Sequence, residues 1–241
     1  MTTFKIHPVT ITLLLAVLLA GYFNYFLMVA LVLFIHDIGH IIMIKIFKYK
    51  IKSIEVLPFG SMINTDLNVS ASPYIIFFIS VAGVLFQALS FPIAHFFLTG
   101  LDYEIFMKYN VLILVFNLLP VIPLDGSKIM SSILEMFTSY KKSLVMTNII
   151  SIISIITFWV LVGQNNLNNY MIIGFLFYKT YEAIKNHVYT FNNFLLNRYL
   201  KQVNINKIRH VKSIKQIYKT KYNFVNGESE TKALRTYFNR I

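Results

Sequence analysis

Residues 25–47 form an apolar run broken in its middle by His36, Asp37 and His40, and that break constrains the fold more than any other feature. About 20 apolar residues suffice for a helix to cross a bilayer. An ionisable group at such depth costs several kcal/mol unless it is paired, solvated or bound to a metal. Similar runs recur at residues 8–22, 73–98, 106–124, 144–162 and 170–184, the first and last being short. Only 13% of the 241 residues are charged and 56% are hydrophobic, against about 25% charged in an ordinary soluble domain. The chain reads as an all-α polytopic membrane protein with about six transmembrane helices. It has no cysteine, so disulfide scaffolds and thiolate metal sites are excluded.

The net charge of +12 is unevenly spread. From Lys179 to Ile241 there are 13 Lys and Arg against Glu182, Glu228 and Glu230. The basic surplus is therefore a tail, and no direct nucleic-acid partner is expected. Lys5, the cluster Lys45, Lys48, Lys50 and Lys52, then Lys128, Lys141 and Lys142, and finally the tail all fall in alternate connections, with only Lys108 opposite. The positive-inside rule then puts both termini in the cytoplasm of a bacterial cell membrane. Residues 1–186 read as the membrane core and 187–241 as a basic cytoplasmic tail or degenerate small regulatory domain. Residues 187–199 look like an amphipathic extension along the interface. Between the second and third spans, residues 51–72 mix β-branched and turn residues, including Leu57-Pro58-Phe59-Gly60 and Asn64, Asp66 and Asn68. They predict a short cytoplasmic β-hairpin-like insertion.

The chemistry is concentrated in two places. His36 and His40 lie four apart, on one face of a helix, where their imidazoles can share a metal. Core histidines bonded to the backbone or to each other are the plainer reading, but that reading must also account for Asp37 between them and for a second buried carboxylate. The fourth span ends in Asn117-Leu118-Leu119-Pro120-Val121-Ile122-Pro123-Leu124-Asp125-Gly126. Its prolines break the helix, and irregular backbone at membrane depth is tolerated only when buried in protein or lining a hydrated cavity. Asp125 thus sits on a bent segment able to face the second span. Two imidazoles and one carboxylate leave a fourth position for water, as in catalytic zinc sites. A metal lowers the pKa of such a water toward about 7 and polarises a peptide carbonyl. Asp37 would be the neighbouring base.

These residues resemble the site-2 protease family of intramembrane zinc metalloproteases: His36-Asp37-Ile38-Gly39-His40 in a membrane helix, followed about 80 residues later by the Asn117 to Gly126 motif near the end of another. The Ile6-His7-Pro8 start, the Leu57 to Gly60 segment and the run through Asp125-Gly126-Ser127-Lys128 are most similar to its sporulation branch. The resemblance implies one zinc ion on His36, His40 and Asp125, residue 37 as general base, and Asn117 as a substrate- or water-positioning group. It implies cleavage of a membrane-embedded or membrane-associated protein, which in the sporulation branch is a sigma-factor pro-sequence, and inhibitory membrane partners. Residue 37 is Asp where the family has Glu, and Ala82-Gly83-Val84 stands for the family's Ala-Gly-Pro. The tail after Leu200 is shorter than the usual nucleotide-sensing domain. An Asp carboxylate is set back by roughly 1.5 Å, and a misplacement near 1 Å can cost on the order of 100-fold in rate. A catalytically attenuated or inactive zinc-binding scaffold is therefore the alternative.

Other polar groups have plainer readings. Gly39 and Gly83 read as close-packing positions. His7, His95, His187 and His210 have no partner at ligand spacing and read as structural. The basic tail is expected to attract anionic inner-leaflet lipids, at about 1 kcal/mol per well-placed charge.

Overall fold

The computed structural model describes residues 3–57, 60–67, 69–162, 167–201, 205 and 207–239. Pro58 and Phe59 of the anticipated hairpin, Asn68, and most of the loop between the fifth and sixth apolar runs (163–166) lie outside them. The chain divides into two compact units, Met1–Leu67 with Phe78–Leu118, and Asn68–Phe77 with Leu119–Ile241.

The first unit joins a small sheet to helices. Strand β1 (Thr3–Ile6) runs parallel to β2 (Ile51–Leu57), which pairs antiparallel with β3 (Gly60–Thr65). The anticipated hairpin is present, and the N-terminal strand extends it to three strands in the order β1-β2-β3. Asp66 closes its open end by accepting from the Lys50 amide at 2.8 Å. Helix α1 (Pro8–Leu19) begins at a proline, which suits a first helical turn whose N–H groups have no partner in the helix. Helix α2 (Phe23–Ile46) carries the histidines, followed by α3 (Pro73–Phe97) and α4 (Gly100–Leu118). Met28 and Val32 of α2, Ala94 of α3, and Ile105 and Phe106 of α4 form one buried cluster. It clamps the half of α2 that precedes His36.

α4 starts six residues earlier than the apolar run at 106–124 suggests and stops at Leu118. Its early stop follows from Pro120 and Pro123, which lack amide donors and push the residues before them out of helical geometry. Residues 119–124 accordingly form a loop before α5 (Asp125–Phe137).

The second unit holds α5, α6 (Tyr140–Val162), α7 (Leu167–Lys185), α8 (His187–Leu200) and a C-terminal module. In that module β4 (Ile208–Val211) pairs parallel with β5 (Tyr222–Val225), β5 pairs antiparallel with β6 (Glu228–Ser229), and α9 (Glu230–Phe238) follows. Asn226 and Gly227 both have positive φ, the geometry a two-residue hairpin turn requires. Phe191, Phe194 and Leu195 of α8 are buried with Tyr140, Val211, Ile217, Val225, Ala233 and Leu234. The apolar face of α8, expected along the membrane interface, is thus covered by the module. The described part of the basic tail is folded.

Among the described residues three helices, Phe23–Ile46, Pro73–Phe97 and Tyr140–Leu161, are long and apolar enough to cross a membrane. This is a mostly helical membrane protein. Two buried ion pairs hold the module in place. Arg198 of α8 donates from Nε and Nη2 to the two oxygens of Glu230, at 2.7 and 2.9 Å. Lys219 Nζ donates to Glu135 of α5 at 2.9 Å, and both side chains are buried. Burial pushes Glu135 above the usual carboxylate range, opposed by the Lys219 charge. Burial likewise lowers Lys219, opposed by Glu135.

Removing one member of such a pair strands the other charge. Lys219→Ala is expected to cost about 3–5 kcal/mol, read as a lower unfolding midpoint in detergent. The double variant Glu135→Leu, Lys219→Met should recover most of that loss.

Candidate metal centre

Two histidines one helical turn apart meet only if their rotamers bring the rings together. Here His36 and His40 do meet: the rings stand edge to face with centroids 4.7 Å apart, and the two Nε2 atoms lie 3.0 Å from each other. His36 is buried and His40 half-buried.

What lies behind each ring sets its tautomer. His40 Nδ1 lies 2.8 Å from the carbonyl oxygen of Ile79, which can only accept, so Nδ1 must donate. His36 Nδ1 lies 3.1 Å from Oε1 of Gln87. The Gln87 amide is oriented by its own Nε2, which donates to the Asn110 carbonyl at 2.9 Å, so Oε1 is the atom facing the imidazole. With one proton per ring, these partners put it on Nδ1 and the lone pair on Nε2. Two lone pairs 3.0 Å apart repel, and a cation that accepts both relieves them. Nitrogens at ~2.0–2.1 Å from one tetrahedral ion are about 3.3 Å apart, close to the spacing seen. The pair fits a metal.

The approach of α3 to the rings depends on glycine. A Cβ on Gly83 would lie 2.5 Å from His40 Cε1 and Nε2 and 2.9 Å from His36 Cε1. A Cβ on Gly39 would lie 2.5 Å from the Ala82 carbonyl oxygen. Both glycines are close-packing positions, as expected, and Gly83 also leaves room for the imidazoles.

Asp37 follows His36 on α2 and is half-buried. Asn117 is half-buried in the last turn of α4. In the second unit, Asp125 opens α5 and is buried, where the partial positive charge of the helix N-terminus favours a carboxylate. Lys128, one turn on, donates to Asp125 Oδ1 at 2.7 Å. The loop before α5 is pinned by Ser151 of α6, whose Oγ accepts from the Ile122 amide and donates to the Pro120 carbonyl, each at 3.3 Å. Buried Val121 anchors it.

Gln87 and Lys128 were not anticipated from the sequence. The signal for Gln87 was available: a primary amide inside the apolar run at 73–98 is as conspicuous as an isolated histidine. Lys128 lies in the quoted motif, but its direction toward Asp125 follows from helical spacing that proline and loop residues obscure.

The comparisons with known proteins point to the same family as the motifs. The model of Peptidase family M50 matches residues 103–161. The chain is similar to stage IV sporulation protein FB of Bacillus subtilis (strain 168), 27% identical over 203 residues, covering 80% of this chain and 70% of that protein. Its fold resembles the site-2 protease from Methanocaldococcus jannaschii, with a TM-score of 0.53 and 22% identity over 76% of this chain and 90% of that one. The resemblance to site-2 proteases read from the motifs is borne out, in sequence and in fold.

Gly83→Ala should overpack the rings, at about 1–3 kcal/mol. The expected outcome is a lower unfolding midpoint together with reduced bound metal, measured by elemental analysis of purified protein.

Proposed function

We propose that this chain is a zinc-dependent intramembrane endopeptidase in which His36, His40 and Asp125 hold one zinc ion. The observation that carries the reading is the His36–His40 pair, with both Nδ1 atoms donating and both Nε2 lone pairs turned together. The family likeness and the chemistry of these three ligand types support zinc. When bound, such an ion polarises the scissile carbonyl and acidifies a water.

The protein's own residues do the rest. Asp37 takes the proton of the attacking water and returns it to the departing amine, as general base and then general acid. Asn117 positions water or substrate by hydrogen bonding. The substrate is a membrane-embedded or membrane-associated protein, and the sporulation resemblance favours a sigma-factor pro-sequence. A helical substrate hides its peptide bonds in intrahelical hydrogen bonds, so an edge of the sheet β1-β2-β3 holds it extended by strand addition.

The charge pattern supports six spans with both termini in the cytoplasm, residues 1–186 forming the membrane core and 187–241 the cytoplasmic part. The basic tail engages anionic inner-leaflet lipid, and inhibitory membrane partners gate access.

Co-expression with a panel of membrane-tethered candidates, including a sigma-factor pro-sequence, tests the reading. Wild type is expected to cleave one of them. His36→Ala should abolish cleavage, chelation should remove it from purified protein, and Asp37→Ala should lower it about 10²–10⁴-fold. Cleavage that survives His36→Ala would sink the proposal. If neither wild type nor Asp37→Glu cuts while zinc still binds stoichiometrically, the chain is an inactive zinc-binding scaffold.

A further inference from the structure

α3 carries Ser80, Gly83, Gln87, Ser90 and Ala94 at alternating spacings of three and four, so they share one helical face. Among them Gln87 is fully buried. A primary amide has two donor hydrogens and a two-lone-pair acceptor to satisfy, and each group left unmade in an apolar interior is costly. An apolar residue would suit a spanning helix better, so the amide needs a reason.

Its surroundings supply one. Gln87 Nε2 donates to the Asn110 carbonyl of α4 at 2.9 Å. Asn110 Nδ2 donates to Ser90 Oγ at 2.9 Å, and Ser90 Oγ donates to the main-chain carbonyl of Gln87 at 2.6 Å. These bonds tie the side-chain amide to α4, link Asn110 through Ser90 to the Gln87 main chain, and leave Oε1 facing His36 Nδ1. His40 gets the same service from a backbone carbonyl. The two histidines therefore differ: one is oriented by the main chain and the other by a side chain that mutation can change.

We propose that Gln87 is a positioning residue for the metal centre: by accepting from Nδ1–H it fixes the His36 tautomer and aims the Nε2 lone pair toward His40. The inference rests on the metal-binding reading above. A hydrogen-bond partner behind a metal-ligating imidazole typically contributes 10–100-fold in metal affinity. Gln87 touches no substrate in this scheme and acts only through His36. A neutral amide also orients the ring without burying a further charge beside it.

The test uses the full chain in detergent, stripped of metal and titrated with cobalt(II), whose visible absorption reports coordination geometry. Wild type, Gln87→Leu, Gln87→Glu and His36→Ala are compared, and ¹⁵N-histidine NMR of the metal-free protein reads the tautomer. The expected result is a 10–100-fold weaker cobalt affinity for Gln87→Leu with an altered absorption band. Gln87→Glu, which keeps an acceptor oxygen, should bind as tightly as wild type or more so. In wild type His36 should carry its proton on Nδ1, and Gln87→Leu should lose that signature.

Equal affinity and an unchanged band for Gln87→Leu would overturn the inference, as would a wild-type His36 protonated on Nε2. Should Gln87→Leu fail to fold, weakened cobalt binding by a folded Gln87→Glu would count against it in the same way. Failure of the metal reading looks different: wild type would bind no more cobalt than His36→Ala. The tautomer measurement would still decide the role of Gln87.

Discussion

An imidazole carried into an apolar interior has two nitrogens to satisfy, and much of the first unit follows from satisfying the four of His36 and His40. The Nδ1 of His40 is met by the Ile79 carbonyl, which requires the backbone of α3 to approach the rings. That approach is possible because Gly39 and Gly83 carry no Cβ where one would strike the Ala82 carbonyl or the rings themselves. His36 lies one turn away, and Gln87 meets it with a side chain. The Gln87 amide N–H then needs an acceptor, which α4 supplies through the Asn110 carbonyl. The apolar cluster of Met28, Val32, Ala94, Ile105 and Phe106 adds area to the same three helices, but area has no direction. The polar chain fixes rotation and register, and the two Nε2 lone pairs meet as its consequence.

The same requirement acts on Asp125. A buried carboxylate is costly unless charge or hydrogen bonds compensate it. Placement in the first turn of α5 and the Lys128 ammonium at 2.7 Å provide both. The Lys128 side chain is 54% exposed, so its charge is partly solvated and the pair is weaker than its length suggests. The proline loop serves the same end, because a continuous helix through residues 119–124 could not begin a new one at Asp125.

Much of this was legible in the sequence because membrane depth makes polar residues conspicuous. His36, Asp37, His40, Asn117 and Asp125 all stand out against apolar neighbours, and the hairpin at 51–65 followed from its β-branched and turn residues. The start of α4 was misplaced because Asp102, Glu104 and Lys108 break the apolar run without breaking the helix. Helix α5 went unread because it is a short, partly polar segment between two conspicuous runs. The amphipathic pattern of α8 fits a membrane interface or a protein partner equally well, and only tertiary packing on the module decides between them. Glu135 and Lys219 are 84 residues apart, a distance across which spacing says nothing about pairing.

That pair gives α5 a mechanical meaning. Asp125 is its first residue and Glu135 lies in its last turn, about 15 Å along a helix that rises 1.5 Å per residue. One end is set by the pinned loop, through Ser151 and Val121. The other end is bonded to Lys219 of the C-terminal module, and Tyr140 at the start of α6 donates its amide to the Ile217 carbonyl at 2.9 Å. A three-and-a-half-turn helix is stiff compared with the loops around it. Breaking the Glu135–Lys219 bond would leave two buried charges without partners. Asp125 and the ion pair that reaches the module thus stand at opposite ends of one helix.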